Sequence, residues 1–291
     1  MSEPLLTPHG GSPGSVRFPA KERGHVGHVT QAAIGHVLKK AFLAGTSRTL
    51  GQPAQLVQFA MFFVLPPIIL ASVWKAAATS SGGSIVGYSA TALVWYIATS
   101  ETAVLTVRNR LIAEVGDDIG SGQFAVELQR PVRALPIRLA SELGFMAPRF
   151  TVGVTLAALV GLLLGGAPPS VVGVTLAVPS LALALTLNVI GQHLFAASSF
   201  WLREAKGAWF LYNKLVFVLG GMLLPLEVLP AWLETIAKFL PFMAMAYVPA
   251  RLAAGFVEPW LLLVQLFWLF VALALALAAF GRGERHFMGD S

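Results

Sequence analysis

The stretch Trp260–Phe280, WLLLVQLFWLFVALALALAAF, decides the fold class. It holds twenty-one residues with no charge and one polar side chain, Gln265. A run of ~20 apolar residues matches the length an α-helix needs to cross the hydrocarbon of a bilayer. The rest of the chain agrees. Of 291 residues, 56% are hydrophobic and only 12% are charged, about half the charged share of a soluble domain. That is too little charge to coat a water-facing surface, so the bilayer is the better solvent for most of this sequence.

Working back from this segment, five more spans are predicted: Ala54–Trp74, interrupted by Pro66-Pro67; Gly87–Val107, carrying Glu101; Leu139–Leu164, broken by Pro148; Val171–Ala197, with Pro179 inside; and Gly207–Leu224. The expected fold is therefore an all-α membrane protein of six transmembrane helices. Residues 225–256 contain four prolines and Glu227, Glu234, Lys238 and Arg251. Their apolar runs are too short to cross ~30 Å of hydrocarbon. They read as short interfacial or re-entrant helices, with Trp232 and Tyr247 at headgroup depth. Residues 1–24 read as a disordered cytosolic tail rich in Pro, Gly and Ser. Residues 25–50 space Val29, Ala32, Ala33, Val37, Ala41 and Phe42 along one helix, with Lys39, Lys40 and Arg48 interspersed. A basic amphipathic interfacial helix and a plain soluble helix both fit that pattern. The domains are thus 1–24, 25–50 and a six-helix transmembrane bundle over 51–291.

Orientation follows from Lys and Arg. With both ends cytoplasmic, Arg108, Arg110, Arg130, Arg133, Arg138, Arg203, Lys206, Arg282 and Arg285 fall inside, and only Lys75, Lys238 and Arg251 fall outside. The expected location is the plasma (inner) membrane. The net charge of +6 is spread over separate loops, the pattern of membrane anchoring and not of a nucleic-acid surface.

No catalytic constellation stands out. The chain has no cysteine, which excludes thiol catalysis and thiolate metal sites. It lacks the phosphate-binding Gly-rich loop ending in Gly-Lys-Ser/Thr, the zinc helix His-Glu-x-x-His and the Gly-x-Ser-x-Gly elbow. His193 stands alone in its span, which favours a helix-to-helix hydrogen bond over a metal role. The intramembrane polar candidates are Glu101, Glu142, Arg149, Asn188, Gln192 and Lys214. Charges at membrane depth cost about 2.5–3.5 kcal/mol each on insertion scales, so they face protein or water. Snorkelling at the inner ends of the spans explains most of them. For Glu101, pairing with a basic residue of a neighbouring helix is the alternative.

The most specific local feature is the connection 108–138, with nine charged residues. Gly120 and Gly122 mark a turn. Phe124–Gln129 then forms about one and a half helical turns before Pro131 stops it. A short helix clamped between a span and a proline is a rigid protrusion that suits docking onto a partner; a solvated connector is the bland alternative.

Three stretches carry a resemblance to a known family: Ile119–Phe124 leading to Glu127–Val132; Phe200-Trp201-Leu202-Arg203-Glu204; and Gly220-Gly221-Met222-Leu223-Leu224-Pro225 through Leu233, continuing to Leu240-Pro241-Phe242 and Pro249. Over about residues 25–290 the chain resembles permease subunits of type-2 ABC exporters. The resemblance implies a dimer with an identical or related permease, each half docking a separate cytosolic ATPase that holds ATP and Mg. It implies an interfacial connecting helix at 25–50 and a coupling helix around Gly120–Pro131. It also implies short helices over 226–250 capping the pathway, and lesser contacts around Arg203–Lys206. Asp117, Asp118, Gly120, Gly122, Phe124, Glu127, Arg130 and Pro131 are the docking residues so implied. No cofactor and no catalytic role is expected in this chain. The expected cargo is hydrophobic or amphipathic and moves by export. Rival readings are an ion-gradient-driven secondary transporter, a membrane-embedded lipid-modifying enzyme and a membrane scaffold.

Overall fold

The computed structural model describes residues 31–130, 132–202 and 205–289. The tail 1–24, the start of the expected amphipathic helix including Val29, and Pro131, Arg203 and Glu204 lie outside the described residues.

Four helices are long and apolar enough to cross a membrane. They are α2 (Pro53–Ser80), α6 (Ala134–Val160, prolonged by a π turn to Gly165), α7 (Val171–Ala196, prolonged by a 3-10 turn to Phe200) and α11 (Trp260–Gly289). At 1.5 Å per residue each extends at least about 40 Å, more than the hydrocarbon thickness. Two of the expected six spans are shorter. Helix α3 (Ala90–Leu105) has 16 residues and α8 (Lys206–Leu219) has 14, about 24 and 21 Å. In α8 the shortfall has a local cause. Gly220 and Gly221, the latter at φ +69°, end the helix five residues before the expected limit at Leu224.

Prolines do not divide the long helices. Pro66 and Pro67 lie inside α2, Pro148 inside α6 and Pro179 inside α7, and each helix runs through. The expected break at Pro148 is absent. Pro53 opens α2 at the first turn, where its missing N–H has no helical partner to lose. Ser89 and Ser170 cap α3 and α7, each accepting from a backbone N–H at 3.1 Å.

The interior is built around α3 and α7. Every residue of α3 from Ala92 to Ala103 is buried, enclosed by α2, α6, α7 and the short α10 (Tyr247–Ala253). More than half of α7's apolar window is buried (56%), against 17% for α2 and 22% for α6 and α11. Those three leave wide apolar faces such as Met61, Phe62, Leu65 and Ile69 on α2, and Leu263, Phe267 and Phe270 on α11. A two-residue hairpin, β1 (Ser84–Ile85) and β2 (Tyr88–Ser89), links α2 to α3.

Helix α1 (Gln31–Leu50) lies along α6. Small residues let the two backbones meet. A Cβ on Gly45 would stand 2.0 Å from the Ser141 carbonyl oxygen, and one on Gly144 would stand 1.9 Å from that of Phe42. Thr46 and Thr49 donate to the Gly144 and Phe145 carbonyls at 3.0 and 2.7 Å. Close small-residue packing joined by hydroxyl bonds is a membrane mode of association. Only Gly45 and Thr49 of α1 are buried by it.

The 225–256 region folds as a 3-10 turn (Leu226–Val228), α9 (Ala231–Lys238), a second 3-10 turn (Pro241–Met245) and α10. Trp232 is exposed, but Tyr247 is buried in a polar cluster and not in an aromatic belt.

Candidate functional site

The connection between α3 and α6 folds as α4 (Leu111–Gly120) and α5 (Phe124–Leu128). In α4, Leu111, Ile112, Val115, Gly116 and Ile119 are buried, one face at helical spacing. Gly122, at φ +78°, makes the turn that a side chain would strain. Phe124 is then fully buried among Phe200, Phe280 and Phe287, with ring centroids 5.2–6.4 Å away.

One residue ties this segment to the membrane helices. Arg138, in the first turns of α6, donates Nε and Nη2 to the two Glu127 carboxylate oxygens at 2.8 and 2.9 Å. Its Nη2 also donates to Asp118 at 2.7 Å, and its guanidinium stands 5.6 Å from the Phe124 ring. A bidentate Arg–carboxylate fork fixes orientation as well as distance. The ends of α4 and α5 therefore move with α6. The eight residues expected to dock a partner separate into two groups. Asp118, Phe124 and Glu127 are turned toward the bundle and hold the segment. Asp117, Gly120, Gly122 and Arg130 are exposed, and Pro131 lies outside the described residues. Val126, 60% exposed at the crest of α5, is a surface residue that the sequence reading passed over.

The intramembrane polar candidates do not converge on one point. Glu101 is fully buried in α3. Neither carboxylate oxygen has a hydrogen-bond partner among the described residues, so the expected pairing is not met. Burial equally excludes snorkelling. The reason is geometric: α3 is enclosed by α2, α6, α7 and α10, and no ion pair reaches Glu101 among the described residues. Arg108 pairs with Glu114 and stands 3.2 Å from Glu142, a contact made without hydrogen-bond alignment. Arg149 lies over Phe145 and Phe59, 4.5 and 5.4 Å from the ring centroids. Lys214 is exposed on α8 beside Phe210 and Phe217.

Asn188 and Gln192, one turn apart on α7, are buried and bonded through Gln192 Nε2 at 3.2 Å. The Tyr212 hydroxyl reaches both oxygens of Asn188 at 2.9 Å, leaving Gln192 Oε1 without a partner. With Arg108, Lys214 and Met222 these residues line a cavity of about 260 Å³ between α3, α7 and α8. His193 Nδ1 bonds the Val189 carbonyl of its own helix at 2.9 Å. The expected helix-to-helix bond is not formed, because the ring lies back along α7. No group of three His, Asp or Glu able to hold a metal occurs among the described residues.

Two polar arrangements escaped the sequence reading. After α8 the chain unwinds over Gly220–Leu224, and four successive carbonyls are taken by side chains of α2 and α3. Tyr96 donates to Gly221 (2.5 Å) and approaches Leu224 (3.3 Å), Ser100 donates to Met222 (2.8 Å), and Trp74 Nε1 to Leu223 (2.9 Å). Unwound backbone at membrane depth requires such partners. The second adjoins it at the start of α3, where the Tyr96 ring stands 5.8 and 6.5 Å from those of Tyr88 and Tyr247. Arg251 binds Glu258 through Nε and Nη2 at 3.1 and 2.9 Å, Glu227 through Nη1 at 2.6 Å and the Tyr88 hydroxyl at 3.0 Å. Tyr247 donates to the same Glu227. The hydrogen bonds from Arg251 hold the Glu258 carboxyl below the usual carboxylate range. The sequence signal was present: Arg251 is one of only three basic residues expected on that side.

A family model described as ABC-2 family transporter protein matches residues 64–291, most of the chain. No curated protein matches it.

Proposed function

The chain belongs to the ABC-2 family of transporter proteins, a multi-pass membrane permease family, and from that premise we propose how this permease is coupled. It crosses the membrane six times, with α3 and α8 as the two shorter crossings and both ends cytoplasmic. It pairs with an identical or related permease, and each half docks a separate ATPase that binds ATP and Mg. Helix α1 lies in the cytoplasmic interface. The cargo is hydrophobic or amphipathic and is exported.

The observation that carries this reading is the clamp of Arg138 on Glu127 and Asp118. A docking element transmits force only when it is rigid relative to the helices it moves. Here the inner face of α4–α5 is fixed by ion pairs and the buried Phe124, while Asp117, Val126 and Arg130 face outward. Closure of an ATPase dimer on ATP binding pushes that ridge. The push passes through Arg138 to α6 and through Phe124 to α11, changing the exposure of the pathway.

The test is to coexpress the chain with its ATPase in proteoliposomes and compare the wild type with a Val126→Asp, Arg130→Glu variant. Both side chains are exposed, so the fold is retained. The expected outcome is weakened ATPase association and ATP hydrolysis no longer stimulated by the permease. Wild-type association and coupling in the double variant would overturn the assignment of this ridge.

A further inference from the structure

The C-terminal end of α11 has two faces. Ala272, Ala276, Phe280 and Gly283 are buried on one, where a Cβ on Gly283 would stand 2.2 Å from the Phe200 ring. The opposite face is open and, with Arg133 at the start of α6, lines a cavity of about 470 Å³. That volume lies within the ~300–1,000 Å³ of small-molecule sites. Arg282 and Arg285 stand three residues apart, so they share one side of the helix. Glu284 is the one carboxylate in the lining against three guanidinium groups, among the described residues. The ion pairs of the described residues engage Arg108, Arg138, Lys238 and Arg251, and none engages Arg133, Arg282 or Arg285. Nothing fills the floor: a Cβ added at Gly281 would meet no atom within 4 Å. Leu277, one turn deeper in the apolar run Trp260–Phe280, lines the same cavity.

Three guanidinium groups around one cavity, with a single carboxylate among them, leave an excess of positive charge that an anion relieves. Each guanidinium presents a planar fork of N–H donors that matches phosphate oxygens. The cavity is charged at its rim and continues onto an apolar wall inside the span. Its complement is therefore an amphiphile and not an acidic protein surface, which would leave Leu277 unmatched. We propose that this cavity binds the phosphate headgroup of an anionic phospholipid, with the acyl chains lying along Leu277. Basic pockets beside membrane helices take such headgroups. The phosphate joins Arg133, at the start of α6, to the end of α11, and these two helices hold the α4–α5 segment through Arg138 and Phe124. Naming the leaflet as cytoplasmic rests on the orientation proposed above; the binding stands on the cavity alone.

The test uses the full chain in an uncharged detergent, with phosphatidylglycerol as probe, phosphatidylcholine as control, and bound lipid counted by native mass spectrometry. Phosphatidylglycerol is expected to occupy one site per chain and to bind about tenfold tighter than phosphatidylcholine. Arg282→Gln combined with Arg285→Gln should weaken it roughly thirtyfold, at about fivefold for each arginine beside a membrane surface. The sharper variant is Gly281→Leu, which fills the floor, leaves every charge in place and exchanges a poor helix former for a good one. It should lose the preference for phosphatidylglycerol. A Gly281→Leu variant that binds as the wild type does overturns the proposal, because diffuse attraction to exposed arginines needs no cavity. Equal binding of the two lipids by the wild type overturns it as well. Glycerol phosphate at the lipid's concentration separates the two sources of phosphate: failure to displace supports a lipid, and displacement overturns the proposal in favour of a soluble phosphate. A second measurement needs no variant: a phosphatidylglycerol with a photoreactive headgroup should label Arg133 and residues 277–288, and labelling confined to other segments overturns it. None of these readouts involves an ATPase, so loss of lipid binding and failure of the docking ridge are told apart.

Discussion

Replacing Arg138 by Gln should release the α4–α5 segment without unfolding the bundle. Arg138 makes two hydrogen bonds to Glu127 and one to Asp118, and its side chain is only 14% exposed, against 24% and 36% for the two carboxylates. Hydrogen bonds to charged groups contribute about 1.5–3 kcal/mol each. The partly wet carboxylates bring each of the three bonds below that range, to about 1 kcal/mol, because solvent can replace the lost partner. A total of about 3 kcal/mol follows, enough to raise the local opening of residues 117–130 about a hundredfold. Amide hydrogen exchange on protein in lipid nanodiscs reads this directly. Protection over 117–130 should fall by about two orders of magnitude in Arg138→Gln, while the 92–103 amides of α3 stay protected. Arg138→Lys keeps the charge but loses the fork, and should recover only part of the protection. Equal exchange over 117–130 in wild type and Arg138→Gln would refute the claim that this residue fixes the segment. A collapse of protection throughout the bundle would refute the claim that the effect is local.

Three further outcomes follow from the same geometry. Glu101→Met should raise the detergent melting temperature, since it removes a buried carboxylate without partners at a gain of about 1–3 kcal/mol; a lowered melting temperature would mean that the carboxylate has a structural partner. Gly144→Val should free α1 from α6, because even a Cβ would stand 1.9 Å from the Phe42 carbonyl oxygen; faster limited proteolysis within 31–50 is the expected readout. The Glu258 carboxyl is held low by Arg251, so its contribution is complete above the ordinary carboxylate value of about 4.3 and is lost as pH falls through the lower folded value. Melting temperature measured downward from pH 5 should therefore fall less in Glu258→Gln than in the wild type.

Much of this fold was legible because the bilayer imposes a length and a composition. The run from Trp260 to Phe280 could be read as a span, and the structure lengthens that helix to Gly289. What escaped was whatever depends on residues distant in sequence. The helix limits of α8 could not be read from hydropathy, because Gly220–Leu224 is as apolar as a helix, and its carbonyls are satisfied by Trp74, Tyr96 and Ser100 more than a hundred residues away. Tyr247 was read as an aromatic-belt residue because its burial beside Glu227 is a tertiary fact. The turn between α4 and α5 was legible from Gly120 and Gly122, but the division of the segment's residues into a clamped and an exposed face depends on Arg138, which the sequence reading counted only as a cytoplasmic charge.

The satisfaction of polar groups separates structure from function in this bundle. In a medium without water, a polar side chain that serves packing is expected to have all its bonds made. Gln265, the polar residue in the opening stretch, meets that standard: it accepts from Ser180 and donates to the Ser180 and Ala244 carbonyls at 2.8–3.1 Å. Tyr96, Ser100 and Trp74 meet it as well. Glu101 and Gln192 do not, and each is buried with an oxygen left open. Lys214 has its ammonium beside aromatic rings, with no carboxylate partner among the described residues. Groups held open in this way cost stability, and they share that state with the Thr106 and Ser199 hydroxyls and His193 Nε2. Gln192 and Lys214 line one cavity and Glu101 stands apart from it.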